Sequence, residues 1–343
     1  MDEILTRVNN AKYFSKLDLT KGYFQIPIKE ECKQYTAFKT SMGLMEFNYL
    51  AFGLSTAAST FQRAMNKALN HLPFVASYFD DILIFSNSWE EHLSHINETL
   101  EALHAANFTV KPSKCIIGCR EINFLGHIIS QGVIKPDPEK TEKILRLERP
   151  KTKKEVRKIC GLLNYYRKFV PHFSEIMCPL TNLTKSSSPN TVLWTPDCEN
   201  AFNRLKHAMA TRPILILPDL NKEFVIRSDA SSKSIGAVLL QEKDSILRPI
   251  AYVSRKLLDR ERNYPICEKE TLAIVFAFHS FAKYIFLNKF KLQCDAKCLT
   301  VIKKNKPLNA RILRWSLAIQ SYNFEIEHIS GAENKISDIL SRF

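Results

Sequence analysis

At 343 residues the chain exceeds one ordinary domain and points to two or three. Its 45% hydrophobic and 24% charged residues are those of a globular protein, which excludes disordered and fibrous classes. The net charge of +14 predicts affinity for a polyanion, of which nucleic acid is the commonest.

No apolar run approaches the length of a bilayer span. The opening MDEILTRVNNAKYF lacks the basic-then-apolar layout of a secretory signal. The nine cysteines are odd in number and scattered, which suits a reducing compartment. Cys115/Cys119 and Cys294/Cys298 share a spacing, but no matching pair of ligands stands where a zinc site needs one. These features predict a soluble, intracellular chain with no membrane partner.

The first 130 residues mix short strands with helices. Thr56 to Leu69 has helix-forming composition without Gly or Pro. Phe74-Val75-Ala76 and Ile82-Leu83-Ile84-Phe85 flank Tyr78-Phe79-Asp80-Asp81, which predicts a strand hairpin with acids at its tip. Ser88 with Glu91 forms a capping box that opens a helix toward Ala106.

From about 132 to 218 the pattern is more helical. Asp137-Pro138 and Thr195-Pro196 each read as a cap followed by a first-turn proline, and Thr152 with Glu155 as a second capping box. One short stretch holds Arg146, Arg149, Lys151, Lys153, Lys154, Arg157, Lys158, Arg167 and Lys168, interleaved with Tyr165, Tyr166 and Phe169. Such a basic stripe with aromatics suits a phosphate backbone. Lys185 to Asn190, rich in serine with a proline, is the best linker on composition.

The last third changes to an α/β pattern. Strands are expected at Phe224–Arg227 leading into Asp229, at Ala237–Leu240, Ile250–Val253, Phe290–Cys294 and Phe324–His328. Helices are expected over Ile266–Phe286, Leu308–Gln320 and Ile336–Ser341.

Two sets of acids stand out. Asp80 and Asp81, adjacent at a tight turn, repel each other and are stable together only with cations. Asp18, ending Lys16-Leu17-Asp18, supplies a third carboxylate for a cage around two Mg²⁺ ions (or Mn²⁺) that activates a 3′-hydroxyl and stabilises leaving pyrophosphate. An Asp-Asp pair by itself is more often a plain turn. The second set is Asp229, Glu270, Asp295 and Asp338. Glu270 shares a helical face with Ile274, Ala277 and Phe281, so it points to the core and needs a compensating charge. Four such acids can hold two metal ions around a scissile phosphate, although each alone also reads as a cap, turn or solvated residue.

Words around these acids occur in a fixed order. They are Lys12–Tyr23 with its Lys-Leu-Asp18-Leu core, Tyr35-Thr-Ala-Phe38, Ala51-Phe52-Gly53 through Gln62, Tyr78–Ser86, Asn123-Phe-Leu125-Gly126-His127, and Gly161–Pro171. The chain closely resembles the reverse transcriptase region of Ty3/gypsy-type LTR retrotransposon Pol polyproteins, along essentially its whole length.

The resemblance implies an RNA-directed DNA polymerase joined to a ribonuclease H, acting on an RNA template, a DNA primer, deoxynucleoside triphosphates and an RNA–DNA hybrid. It makes Asp18, Asp80 and Asp81 polymerase metal ligands and Tyr23 the aromatic gate beneath the nucleotide sugar. Phe52 and Gly53 become the nucleotide pocket, and Leu125 and Gly126 the primer grip. Asp229, Glu270, Asp295 and Asp338 become the ribonuclease centre, with His328 near a loop histidine of some relatives. Ile339 and Ser228 depart mildly from the family pattern, where alanine and threonine are usual.

The expected architecture is α+β and α/β multidomain: a right-hand polymerase palm with truncated fingers over 1–131, a helical thumb or connection over 132–218, and a ribonuclease H-like domain over 219–343. About 17 residues precede Asp18, so the basic fingers segment that holds the triphosphate is expected to be missing. A remnant with ribonuclease activity only, or a silent nucleic-acid-binding protein, therefore stands beside the full enzyme. Assembly as a homodimer or within a Pol polyprotein, in cytoplasmic virus-like particles or the nucleus, completes the expectation.

Overall fold

The computed structural model describes residues 2–211, 213–294 and 310–329. The chain divides into two compact units, Met1–Gly132 and Val133–Phe343.

In the first unit, helix α1 (Asp2–Arg7) precedes β1 (Tyr13–Asp18), α2 (Glu30–Lys33), and the small hairpin β2 (Phe38–Thr40) and β3 (Gly43–Met45). Helix α3 (Ala57–Leu69) leads to β4 (Val75–Tyr78) and β5 (Asp81–Ser86). Then follow α4 (Trp89–Ala105), β6 (Ile116–Cys119), and the hairpin β7 (Glu121–Phe124) and β8 (His127–Ser130).

The sheet that carries the acids has the order β4-β5-β1-β6. Strand β5 is apolar on both faces, with Ile82, Leu83 and Ile84 all fully buried, and Phe14 of β1 is buried beside it. Helix α3 covers it because Ala57, Phe61, Met65, Ala68 and Leu69 recur at helical spacing and are all buried. Burying Phe61, Met65 and Leu69 contributes about 1.5–3 kcal/mol each. Helix α4 starts at the expected box: the Ser88 hydroxyl accepts from the Glu91 N–H, and Glu91 reaches back to the Ser88 N–H.

The second unit opens with β9 (Val133–Pro136) and the helices α5 (Pro138–Leu145), α6 (Lys153–Tyr165), α7 (Phe173–Ile176), α8 (Cys178–Asn182) and α9 (Pro196–Ala210). Asp137, Thr152 and Thr195 cap α5, α6 and α9, each hydroxyl or carboxylate accepting a first-turn N–H. Strand β10 (Leu215–Ile216) pairs with β9.

Next come β11 (Phe224–Ala230), β12 (Ser234–Lys243), β13 (Ile246–Lys256), α10 (Asp259–Arg262), α11 (Ile266–Ile285), β14 (Phe290–Cys294), α12 (Ala310–Ile319) and β15 (Phe324–His328). They form a five-stranded sheet in the order β13-β12-β11-β14-β15. The first three strands form an antiparallel meander, and β14 and β15 join in parallel. Ile274, Ala277, Phe278 and Phe281 of α11 bury against Phe224, Ile226, Leu239, Phe290 and Leu292.

Two expectations change. The serine-rich 185–190 stretch is no free linker. Lys153 Nζ donates to the Ser188 carbonyl at 2.9 Å and the Lys153 N–H to the Asn190 carbonyl at 2.9 Å, which ties it to the start of α6 inside one unit. The strands around Ala237–Leu240 and Ile250–Val253 extend over ten and eleven residues, because pairing to each other carries their polar ends. Among the described residues no helix is long and apolar enough to cross a membrane.

Candidate functional site

Antiparallel pairing of β1 and β5 sets Asp18 directly opposite Asp81. Asp80 lies in the two-residue turn between β4 and β5, whose strand ends Tyr78 and Asp81 pair. Phe79, the other turn residue, has φ +53°, a left-handed conformation that costs a side-chain-bearing residue about 1–2 kcal/mol. Gln62 of α3 secures it by accepting the Phe79 N–H at 2.7 Å.

Gly22 follows β1 and runs against that turn. A β-carbon there would lie 3.0 Å from Phe61 Cζ and 3.6 Å from Asp80 Cβ. The next residue, Tyr23, stacks on Phe61 with ring centroids 4.9 Å apart at 18°, and meets Phe52 at 4.9 Å. Phe52 is 67% exposed, and Gly53 has φ +95° with open space where a β-carbon would point. Tyr23, Phe52 and Gly53 thus form one aromatic shelf beside the turn that carries Asp80.

Each facing acid meets a lysine. Lys16 Nζ lies 2.6 Å from Asp81 Oδ1, and Lys114 Nζ lies 3.5 Å from Asp18 Oδ1. Closely set carboxylates demand such cations. Three carboxylates without His or Cys are also the donor chemistry of a hard divalent ion. Yet among the described residues no three His, Cys, Asp or Glu side chains converge at metal-ligand spacing. The donor set fits Mg²⁺ or Mn²⁺ in kind, with two of its members engaged by ammonium groups.

Leu125 and Gly126 form the two-residue turn of the β7–β8 hairpin, with φ +49° and +68° and Phe124 paired to His127. His127 Nδ1–H donates to the Leu125 carbonyl at 2.8 Å. Strand β7 packs on β1, the strand that ends at Asp18.

The basic stripe is only partly a surface. Tyr166 and Phe169 are core residues, 2% and 1% exposed, and Lys153 is buried on its carbonyl partners. Arg167 donates to the Ser254 carbonyl at 2.5 Å, and burial pulls its guanidinium below the ordinary value. What α6 exposes is Lys154, Glu155, Arg157, Lys158, Gly161, Leu162, Asn164 and Tyr165. The composition located the cations, but the helical turn decides which face water.

In the second unit Asp229 sits half-buried near the end of β11, opposite Gly236 of β12. Glu270 is half-buried in α11, which packs on both strands, and its face-mates Ile274, Ala277 and Phe281 are buried as expected. Burial pushes the Cys267 thiol up, and Glu270 and Glu268 push it the same way, so this cysteine is a poor nucleophile. Asp295 and Asp338 lie outside the described residues. His328 ends β15, exposed and paired with Cys294.

Sequence reading passed over several neighbours of these acids. Lys16 and Gln62 lie inside the ordered words and Lys114 outside them, and all three gain a role only from the fold. Two residues before Asp229, Arg227 Nε donates to Gln293 Oε1 at 2.6 Å, and Gln293 Nε2 donates to Glu327 Oε2 at 2.7 Å. A polar residue two positions before each of Asp229 and Asp295 was the available signal for this cross-strand row. The more deeply buried acid of α11 is Glu268, which pairs with Arg311.

Residues 2–129 match the family model for reverse transcriptase (RNA-dependent DNA polymerase), and residues 194–292 the RNase H-like domain found in reverse transcriptase. Retrovirus-related Pol polyproteins from transposons 297 and opus of Drosophila melanogaster are 40% and 38% identical over 100% and 98% of this chain, which spans 32% and 35% of them. The transposon Tf2-3 polyprotein of Schizosaccharomyces pombe is 33% identical over 100% of this chain and 26% of its own length. The chain thus spans about a third or less of these curated relatives.

Among solved structures, the foamy viral protease-reverse transcriptase dRH with double-stranded DNA aligns at TM-score 0.85 and 24% identity over 96% of this chain and 58% of that one. The same viral enzyme with RNA/DNA hybrid aligns at TM-score 0.80 and 24% identity over 95% and 45%. Both domain types are in general metal-dependent. On these matches the chain carries a reverse transcriptase domain and an RNase H-like domain, and its homologues are Pol polyproteins of Ty3/gypsy-like transposons.

Proposed function

We propose that the chain copies an RNA template into DNA from a primer 3′-end, taking deoxynucleoside triphosphates, and degrades the RNA of the resulting hybrid. The observation that carries this reading is the in-register pair Asp18–Asp81 with Asp80 in the adjoining turn, beside the shelf of Tyr23, Phe52 and Gly53. Mg²⁺, or Mn²⁺ in its place, would be held by Asp18, Asp80 and Asp81 and would supply Lewis-acid activation of the 3′-hydroxyl and stabilisation of pyrophosphate.

The protein's own part is positional. Tyr23, pinned by Phe61, stands as a rigid ring against a ribose 2′-hydroxyl, which selects deoxynucleotides. Gly53 leaves its backbone open to close approach by the nucleotide. The Leu125–Gly126 turn holds the primer end, and the exposed cations of α6 follow the duplex backbone.

In the second unit Asp229 and Glu270, with Asp295 and Asp338, form the ribonuclease centre. The polymerase palm then spans 1–131, the thumb or connection 132–218 and the ribonuclease domain 219–343, working within a Pol polyprotein or as a homodimer. The foamy viral complexes with duplex and hybrid support this choice of partners.

The test is separation of activities. Asp80→Asn is expected to abolish primer extension and spare Mg²⁺-dependent cutting of a labelled hybrid, and Asp229→Asn the reverse. Both activities surviving in both variants refutes the assignment.

A further inference from the structure

Asp18 and Asp81 face each other across β1 and β5, so two carboxylates are set side by side by the backbone itself. Lys16, two residues before Asp18, projects from the same side of the sheet. Its ammonium lies 2.6 Å from Asp81 Oδ1, and the two side chains are only 22% and 28% exposed. Lys114, by contrast, is 57% exposed and stands 3.5 Å from Asp18. Lys16 is therefore the closer and drier of the two cations, and it sits on the strand that carries the first acid.

We propose that Lys16 is the built-in counter-cation of the palm acids. It allows Asp18 and Asp81 to face each other in the absence of a divalent ion and yields Asp81 when one binds, so it sets the metal affinity of the site. Lys16 is thus a positioning residue: it acts through Asp81 and contacts neither nucleotide nor primer. The inference rests on the reading of Asp18, Asp80 and Asp81 as metal ligands.

The first measurement is thermal unfolding of the full chain with EDTA and with Mg²⁺. Lys16→Met is expected to melt below the native chain in EDTA, because the facing carboxylates lose their cation. Mg²⁺ should close that gap, Lys16→Arg should show none, and Lys16→Met with Asp81→Asn should lose the deficit. A deficit that persists unchanged in Mg²⁺ and in the Asp81→Asn background makes Lys16 a packing residue and overturns the proposal.

The second is calorimetric titration of Mn²⁺ into chains carrying Asp229→Asn and Glu270→Gln, which silence the other centre. Removing a competing, partly exposed ion pair should tighten binding in Lys16→Met roughly two- to fivefold. Unchanged or weaker binding overturns the proposal while leaving the metal reading intact. If the unaltered palm takes up no Mn²⁺ that Asp18→Asn removes, the metal reading falls and the role of Lys16 with it.

Discussion

Gly22→Ala isolates the packing that sets the turn with Asp80 against the aromatic shelf. The added methyl would sit 3.0 Å from Phe61 Cζ and 3.2 Å from Phe61 Cε2, closer than such contacts normally run. Phe61 is fully buried, stacks on Tyr23 and meets Phe108 edge-on, so a retreating ring has to displace these neighbours. Gly22 opens a single 3₁₀ turn (Gly22–Gln25), where alanine gains at most about 0.5–1 kcal/mol over glycine, while overpacking a filled core costs about 1–3 kcal/mol. The balance is a net loss on the order of 1–2 kcal/mol.

Function should suffer more than stability, because the displaced Phe61 carries Tyr23 with it. Steady-state primer extension with dTTP is expected to lose kcat and raise KM, while hybrid cleavage stays at its native rate. Gly161→Ala is the control: nothing lies within 4 Å of its β-carbon position, and the change should stabilise α6 by about 1 kcal/mol. Native extension kinetics and an unshifted melting temperature in Gly22→Ala would refute the packing argument.

Two further outcomes follow from the geometry. His92 is fully buried between Ser15 Oγ (2.7 Å) and Ser86 Oγ (2.8 Å), and burial, with His95 adding to it, lowers its affinity for a proton below the ordinary value of 6.5. The unfolded chain then binds more protons below that value, so stability is complete above pH 6.5 and falls as pH drops through it. Melting temperature against pH should show this slope, and His92→Gln should flatten it. Replacing both Lys154 and Lys158 on the exposed face of α6 with Gln should weaken hybrid binding and reduce the slope of log affinity against log salt by roughly 1–2; an unchanged slope removes α6 from the interface.

What the sequence made legible was local. The boxes at Ser88/Glu91 and Thr152/Glu155 are decided within four residues, and both form as read. The apolar runs around Tyr78–Asp81 fold as the expected hairpin because β-pairing of neighbours needs only a tight turn. The facing of Asp18 and Asp81 depends on the register of strands more than sixty residues apart, and with it the Lys16 ion pair; neither has a local signature. Tyr166 and Phe169 misled for a related reason. Aromatics among cations look like a ligand face, but the turn after α6 folds both inward, leaving Tyr165 outside. In α11 the spacing correctly gave Glu270 a core-side face, while the pairing of Glu268 with Arg311 required a helix over forty residues away.

The central claim is that the acids of the first unit gather divalent ions at the end of β1 and β5. Anomalous diffraction from crystals of the full chain grown with Mn²⁺ tests it most directly. The account predicts Mn²⁺ peaks bound by Asp18, Asp80 and Asp81, with Asp81 released from Lys16. Crystals with Mn²⁺ at other acids and none among these three would contradict it.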